Sequence, residues 1–329
     1  MIISRTPFRI SLIGGGSDLK AFYRKFPGAV VSTTIDRYMY IMIHPYFHDK
    51  IRIKYSKLED VNEIHQIKHP IVRACLNRLR IQKGIEIASI ADVPAGTGLG
   101  SSSSFTVGLL HVLNAYRRNF LSKARLARAA CQIEIETLKE PIGKQDQYAA
   151  SYGGLNFIRF HPDERVTVEP LACSPEITDK LEKRLLLFYV GRERKAGDIL
   201  REQQKNMNIP AYRDRMKEMV RLTEELRAVL LAGRLKRLGE ILHEGWLIKK
   251  GLAPHITNPI VEDYYARAIK AGALGGKILG AGSGGFFLFY CEPKDQNDLR
   301  TALGLRELRF GFDSKGSQII FKEGQTRDE

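Results

Sequence analysis

A chain of 329 residues, 43% hydrophobic and 27% charged, can bury the cores of two lobes and is too apolar to stay disordered. It has no apolar run near the roughly 18 residues that cross a bilayer, no tripartite secretory signal after Met1, and four scattered cysteines (Cys75, Cys131, Cys173 and Cys291) without a CxxC pair, which together point to a reducing cytoplasm. Its net charge of +15 is spread over short basic clusters with no zinc finger, RNP-like motif or basic tail, which favours an anionic small molecule over nucleic acid as the partner.

In chain order, residues 2–13 read as a strand broken by Pro7, followed by the turn Gly14-Gly15-Gly16 and a short helix over 18–26. Two β-rich runs, 30–35 and 38–43, flank a turn-like Asp36-Arg37. Residues 51–55 alternate as a strand, 70–81 form an amphipathic helix and 85–90 a further strand. After Asp92 comes Val-Pro-Ala-Gly-Thr-Gly-Leu-Gly-Ser-Ser-Ser-Ser104, leading into a helical run that ends near Tyr116. A helix over 123–138 is stopped by Pro141, and strands follow at 155–160 and 166–170.

The second half opens with a strand over 184–190 and continues with three amphipathic helices, 210–232, 235–250 and 259–271. Met216, Met219, Val220, Leu226, Val229 and Leu230 recur at helical spacing and belong to the core. The glycine-rich segment 277–285 precedes the apolar strand 286–290. Without strict βαβ alternation the fold class is α+β, with a boundary near 160–180.

The segment 92–104 holds the clearest chemistry. Gly96, Gly98 and Gly100 let backbone approach a ligand closely, and the serines that follow sit where helix-terminal amides favour anions. Ser101, Ser102 and Ser103 can cap the helix or bind phosphate oxygens and Mg²⁺. No lysine follows the last glycine, so this is not a Walker A loop. Gly280, Gly282 and Gly285 satisfy a dinucleotide fingerprint, but a strand follows them where that fingerprint needs a helix.

Phosphoryl transfer also needs a metal ligand, a held acceptor and a group that manages its proton. Glu134 and Glu136 point about 200° apart on a helix, so only one can face the serines. Asp146, in a loop past the helix stop, is the candidate base. Arg9 and Asp18 bracket the first glycine turn, either to offset charge and hold sugar hydroxyls or as a structural salt bridge. The pairs His44/His48 and His65/His69 lack a third metal ligand, and no G-x-S-x-G elbow appears.

Three segments together resemble the GHMP kinase family: Thr6 to Asp18, Pro94 to Ser104 (a P-x-G-x-G-L-G-S-S pattern) and Leu279 to Phe286. The resemblance implies a ribosomal S5 domain 2-like N-terminal domain (1–170) and a ferredoxin-like C-terminal domain (171–329). It implies ATP and Mg²⁺, with Pro94, Gly96, Gly98, Leu99, Gly100, Ser101, Ser102, Ser103, Gly282 and Gly284 around the nucleotide. It makes Asp146 and Arg9 catalytic and assigns the metal to Glu134 and Ser102, the serine register being open by one. Gly16, Ser17 and Asp18 fall on the substrate.

Within the family, Glu140 to Gln147, Arg194 to Gln203 and Trp246 to Lys249 are most similar to the branch acting on heptose 7-phosphate. That implies phosphorylation of the anomeric hydroxyl, with Arg192, Arg194 and Lys195 as candidates for the 7-phosphate. The alternatives are a fucose- or galactose-type sugar-1-kinase and a non-catalytic nucleotide sensor. A cytoplasmic monomer or homodimer, with neither membrane nor nucleic acid as partner, is expected.

Overall fold

The computed structural model describes residues 1–191 and 196–323. Its first sheet begins with β1 (Ile2–Ile13), continues past α1 (Lys20–Tyr23) to β2 (Gly28–Pro45), and adds β3 (Ile51–Lys54) and β4 (Leu58–Val61). The helix α2 (Pro70–Leu79) leads to β5 (Ile85–Ala91), after which come α3 (Ser101–Tyr116), α4 (Lys123–Cys131) and α5 (Gln145–Tyr152). The hairpin β6 (Asn156–Phe160) and β7 (Val166–Pro170) completes this half.

β1 runs unbroken through Pro7, and β2 is one 18-residue strand rather than two around a turn. Pairing passes from Pro7–Tyr38 to Phe8–Ile35, so Asp36 and Arg37 are extra residues bulged out of β2. Proline, with no N–H to donate, is tolerated at such an irregularity. The bulge is stitched from afar: Gly311 N donates to the Asp36 carboxylate at 2.8 Å, and Asp36 N to the Gly311 carbonyl at 2.9 Å. The far half of β2 pairs with β5 and its near half with β6, so one long strand carries both wings of the sheet.

The second half contains α6 (Pro175–Glu182), β8 (Leu185–Gly191), α7 (Ala196–Asn206), α8 (Pro210–Leu231), α9 (Leu235–Lys250) and α10 (Pro259–Lys270). Then follow β9 (Ala273–Ile278), β10 (Gly285–Cys291), α11 (Gln296–Leu303) and β11 (Arg306–Leu308). The strands lie antiparallel in the order β11-β8-β10-β9, the arrangement of a ferredoxin-like βαββαβ unit. Two last strands, β12 (Phe312–Asp313) and β13 (Gln318–Lys322), pair with β2 and β1. The span 171–329 therefore contributes strands to both sheets.

α3 packs on β1 and β2 with Val107, Leu110 and Leu113 buried, and α9 packs on β9 with Trp246 against Phe287 and Tyr265. Each such side chain contributes about 1.5–3 kcal/mol by leaving water. No helix among the described residues is long and apolar enough to cross a membrane.

Candidate active site

A cleft of about 480 Å³ opens between the two halves. Its walls are the end of β1 with the Gly14–Gly16 turn, the loop before α3, the start of α5, and residues of α7, α8, α9 and β9. The two glycine segments meet at its edge. The Phe286 amide donates to the Thr97 carbonyl at 3.2 Å, and a Cβ on Gly98 (φ +83°) would lie 2.6 Å from the Leu279 carbonyl oxygen. A side chain there would force the loop away from the second sheet.

Arg9 projects from β1, 4% exposed, into a bidentate pair with Asp146: Nε donates to Oδ1 and Nη2 to Oδ2, both at 2.8 Å. Its third nitrogen, Nη1, donates to the Gly98 carbonyl, and the Leu99 carbonyl accepts from the Arg9 amide at 3.1 Å. One arginine thereby orients the carboxylate and anchors the glycine loop. Asp146 lies in the first turn of α5 rather than in a loop, where the helix dipole favours an acid.

Asp18 does not pair with Arg9. Its carboxylate, 2% exposed, accepts from the Gly16 amide at 2.9 Å, the Gln145 amide at 3.1 Å and Gln145 Nε2 at 3.1 Å. Burial pushes its carboxyl above the usual range; the Gln145 amide opposes this, and the Asp146 charge adds to it. Gly143 packs so tightly on this group that a Cβ would fall 1.9 Å from Oδ2.

The expected helix over 123–138 changes character inside. α4 ends at Cys131, and residues Gln132–Thr137 form a π turn. The widened turn carries Glu134 inward, fully buried, while Glu136 stays exposed. Ser102 Oγ donates to Glu134 Oε1 at 2.9 Å and Gln147 Nε2 to Oε2 at 2.7 Å. Burial pushes the carboxyl up to about 7. No cluster of three or more His, Cys, Asp or Glu that could hold a metal occurs among the described residues. A carboxylate, a hydroxyl and the unpartnered Gln147 Oε1 are nonetheless hard oxygen donors, and a buried acid without a counter-cation gains from a divalent ion. The set fits Mg²⁺ completed by phosphate oxygens and water.

Among the nucleotide candidates, Gly96, Gly98, Gly100, Ser101, Ser102 and Ser103 line the cleft, whereas Pro94, which is exposed, and Leu99, which is buried, do not line it. No serine caps α3. Its N-cap is Gly100 with φ +77°, and Ser104 Oγ is spent on the Pro7 carbonyl at 2.9 Å. Gly280 and Ala281 reach the cleft; Gly282 and Gly284 do not line it, Gly282 lying against the Ile256 carbonyl. Gly16 lines it, but the Ser17 hydroxyl is consumed by the Gly14 and Ala29 carbonyls at 2.8 and 2.9 Å and holds the turn. Arg192, Arg194 and Lys195 lie outside the described residues.

Lys249, Lys277, Gln145 and Gln203 also line the cleft, although motif and spacing assign them no role. Lys249 Nζ donates to the Ile278 and Gly280 carbonyls at 2.8 and 2.7 Å, holding the second glycine turn. The sequence does carry a signal for Lys277: one cation inside the otherwise apolar strand Ala-Leu-Gly-Gly-Lys-Ile.

Comparison with known proteins identifies the family. The family models for the GHMP kinases N terminal domain and the GHMP kinases C terminal domain match residues 67–154 and 222–306. The D-glycero-alpha-D-manno-heptose 7-phosphate kinase of Campylobacter jejuni is 30% identical over 92% of this chain and 93% of its own. The galactokinase of Pyrococcus furiosus is 27% identical over 98% of this chain and 97% of its own. A crystal structure described as a D-glycero-D-manno-heptose 1-phosphate kinase from Bacteriodes thetaiotaomicron superposes with a TM-score of 0.81 at 26% identity, covering 98% of this chain and all of that one. With both halves matched in order over a cleft of this build, the chain belongs to the GHMP kinase family and is an ATP-dependent sugar kinase.

Proposed function

We propose that the chain transfers the terminal phosphoryl group of ATP to the anomeric hydroxyl of D-glycero-D-manno-heptose 7-phosphate, giving the 1,7-bisphosphate and ADP. The observation that carries the chemistry is the Arg9–Asp146 pair, held at one end by the glycine loop and open to the cleft. In this reading the anomeric oxygen forms the new bond to phosphorus, the bond from phosphorus to the ADP oxygen breaks, and Asp146 takes the hydroxyl proton. Arg9 keeps the carboxylate aimed and offsets charge that builds on the transferred group. Asp18, fixed by its three donors, presents its remaining lone pairs to sugar hydroxyls.

Amides of the loop 96–103 face the nucleotide phosphates. Glu134 and Ser102 would hold Mg²⁺, which when bound supplies positive charge to those phosphates. His69, stacked on Phe105 with ring centroids 4.8 Å apart, adds a flat wall to the cleft near the serines, suited to a nucleobase.

The choice of sugar rests on the Campylobacter jejuni relative and on the basic charge of the chain, which suits an anionic substrate. The two heptose relatives bear names that place phosphate at different positions, and the galactokinase relative keeps an unphosphorylated hexose as the second reading. ADP release from heptose 7-phosphate, unphosphorylated heptose, galactose and fucose separates these. Phosphorus NMR of the product then reports the position. Turnover on heptose 7-phosphate at least a hundredfold above the hexoses, with a new anomeric phosphate, is expected; preference for a hexose would overturn the assignment.

A further inference from the structure

Lys277 stands out among the charges of the described residues. It rises from β9 of the second sheet, is 8% exposed, and crosses to the first sheet, where Nζ donates to the Ser11 carbonyl at 3.0 Å and the Leu12 carbonyl at 3.3 Å. Among the described residues it has no carboxylate partner; the nearby charges that act on it, Lys249 and Arg9, are both positive. Arg9 is already paired with Asp146. A cation taken out of water is normally matched by an anion, because unpaired burial costs several kcal/mol.

Ser11 supplies the second observation. It lines the same cleft, is 5% exposed, and its Oγ is buried with no hydrogen-bond partner. The hydroxyl sits beside the substrate turn, 3.7 Å from where a Gly15 Cβ would lie. A buried hydroxyl normally finds a partner, so an empty one next to an uncompensated ammonium marks a missing acceptor.

We infer that Lys277 and Ser11 form an anion subsite at the inner end of the cleft that binds a phosphate group of one of the two substrates. A merely structural tie between the sheets would need two N–H donors and no charge, and would not leave Ser11 unsatisfied. Burial and the two neighbouring cations hold the amine well below its usual range in the empty cleft, so an arriving phosphate supplies the counter-charge that the protein lacks. The inference rests on the reading that both ligands of this cleft are phosphorylated. Their shared chemistry, a phosphate oxyanion, comes from the terminal phosphate of the nucleotide or from the sugar.

The test is calorimetric binding of paired probes to the wild type, Lys277→Met and Ser11→Ala. AMP-PNP against ADP isolates the terminal phosphate, and heptose 7-phosphate against unphosphorylated heptose isolates the sugar phosphate. Lys277→Met is expected to lose at least tenfold in affinity for the phosphate-bearing member of one pair, with the other member within threefold. Ser11→Ala, which removes no hydrogen bond within the protein, is expected to weaken the same ligand three- to tenfold with no loss of Tm. The pair that responds identifies the source. Equal effects on all four probes, or none, would assign Lys277 a structural role and overturn the subsite, as would a Ser11→Ala protein that binds everything like wild type. A wild type that ignores heptose 7-phosphate would instead defeat the substrate assignment. The nucleotide pair, with inorganic phosphate titrated into the nucleotide-saturated protein, then decides on Lys277 alone.

Discussion

Removing Asp146 should damage catalysis and stability by separable routes. Arg9 is almost wholly buried, and in Asp146→Ala two 2.8 Å charge-assisted bonds vanish, leaving the guanidinium with the Gly98 carbonyl. Orphaning one member of a buried pair costs about 3–5 kcal/mol. The Asp146 side chain is 23% exposed to the cleft, so water eases the loss and the lower end, about 3 kcal/mol, applies here. At about 2 °C per kcal/mol for a chain of this size, Tm should fall by roughly 6 °C. The Arg9→Met/Asp146→Ala double variant buries no lone charge and should recover most of that loss. Turnover should not recover. A positioned base contributes about 10²- to 10⁴-fold, so both variants should lose roughly 10³ in kcat, about 4 kcal/mol of barrier. Thermal melts followed by circular dichroism and a coupled ADP-release assay measure the two quantities. An Asp146→Ala enzyme within tenfold of wild-type kcat would refute the role given to the carboxylate, and a double variant less stable than either single one would refute the pairing energetics.

Three further outcomes are expected. Glu134→Gln should raise the Mg²⁺ concentration for half-maximal velocity at least tenfold, while the variant stays folded, because the amide keeps an acceptor for Ser102 in that buried place. Gly143→Ala pushes a methyl group into the space of the Asp18 carboxylate, and KM for the sugar should rise at least tenfold with KM for ATP within twofold; equal rises would show a general loss of structure. His111 bonds Ser317 Oγ at 3.0 Å beneath the returning C-terminal segment, and burial lowers its pKa. Between its lowered folded value and the ordinary histidine value the unfolded chain therefore binds more protons than the folded one, and stability falls as pH drops through that window. Urea melts at pH 7.5 and 5.5 should show this loss in wild type and a smaller one in His111→Gln.

Much of the fold is legible in the amino-acid pattern. The helices α8, α9 and α10 and the strands β5, β7 and β8 fall within a residue or so of their apolar periodicities, since each buries one face or stripe. The pattern does not announce α6, α7, α11, β9 or the last strands. The short strands β11 and β12 carry no usable period, and β9 is half glycine and small residues, which suit close packing against α9 and β10 more than strand propensity. Proline and a polar pair mislead at Pro7 and Asp36-Arg37 because both mark a bulge shared by two long strands, which only pairing with β12 and its preceding loop stabilises.

The site divides the same way. By itself the chain determined the glycine-serine loop, the family and the candidates Arg9, Asp18, Glu134 and Asp146, because local backbone geometry and short motifs dictate where glycine, serine and an acid must stand. Tertiary structure alone decided how they combine: Arg9 with Asp146 rather than Asp18, Glu134 turned inward by a π turn, Ser17 withdrawn into the backbone, and Lys277 reaching Ser11 across 266 positions of sequence. Hydrogen bonds and charges act over a few ångströms of space, and which residues come that close is settled only when both sheets have packed.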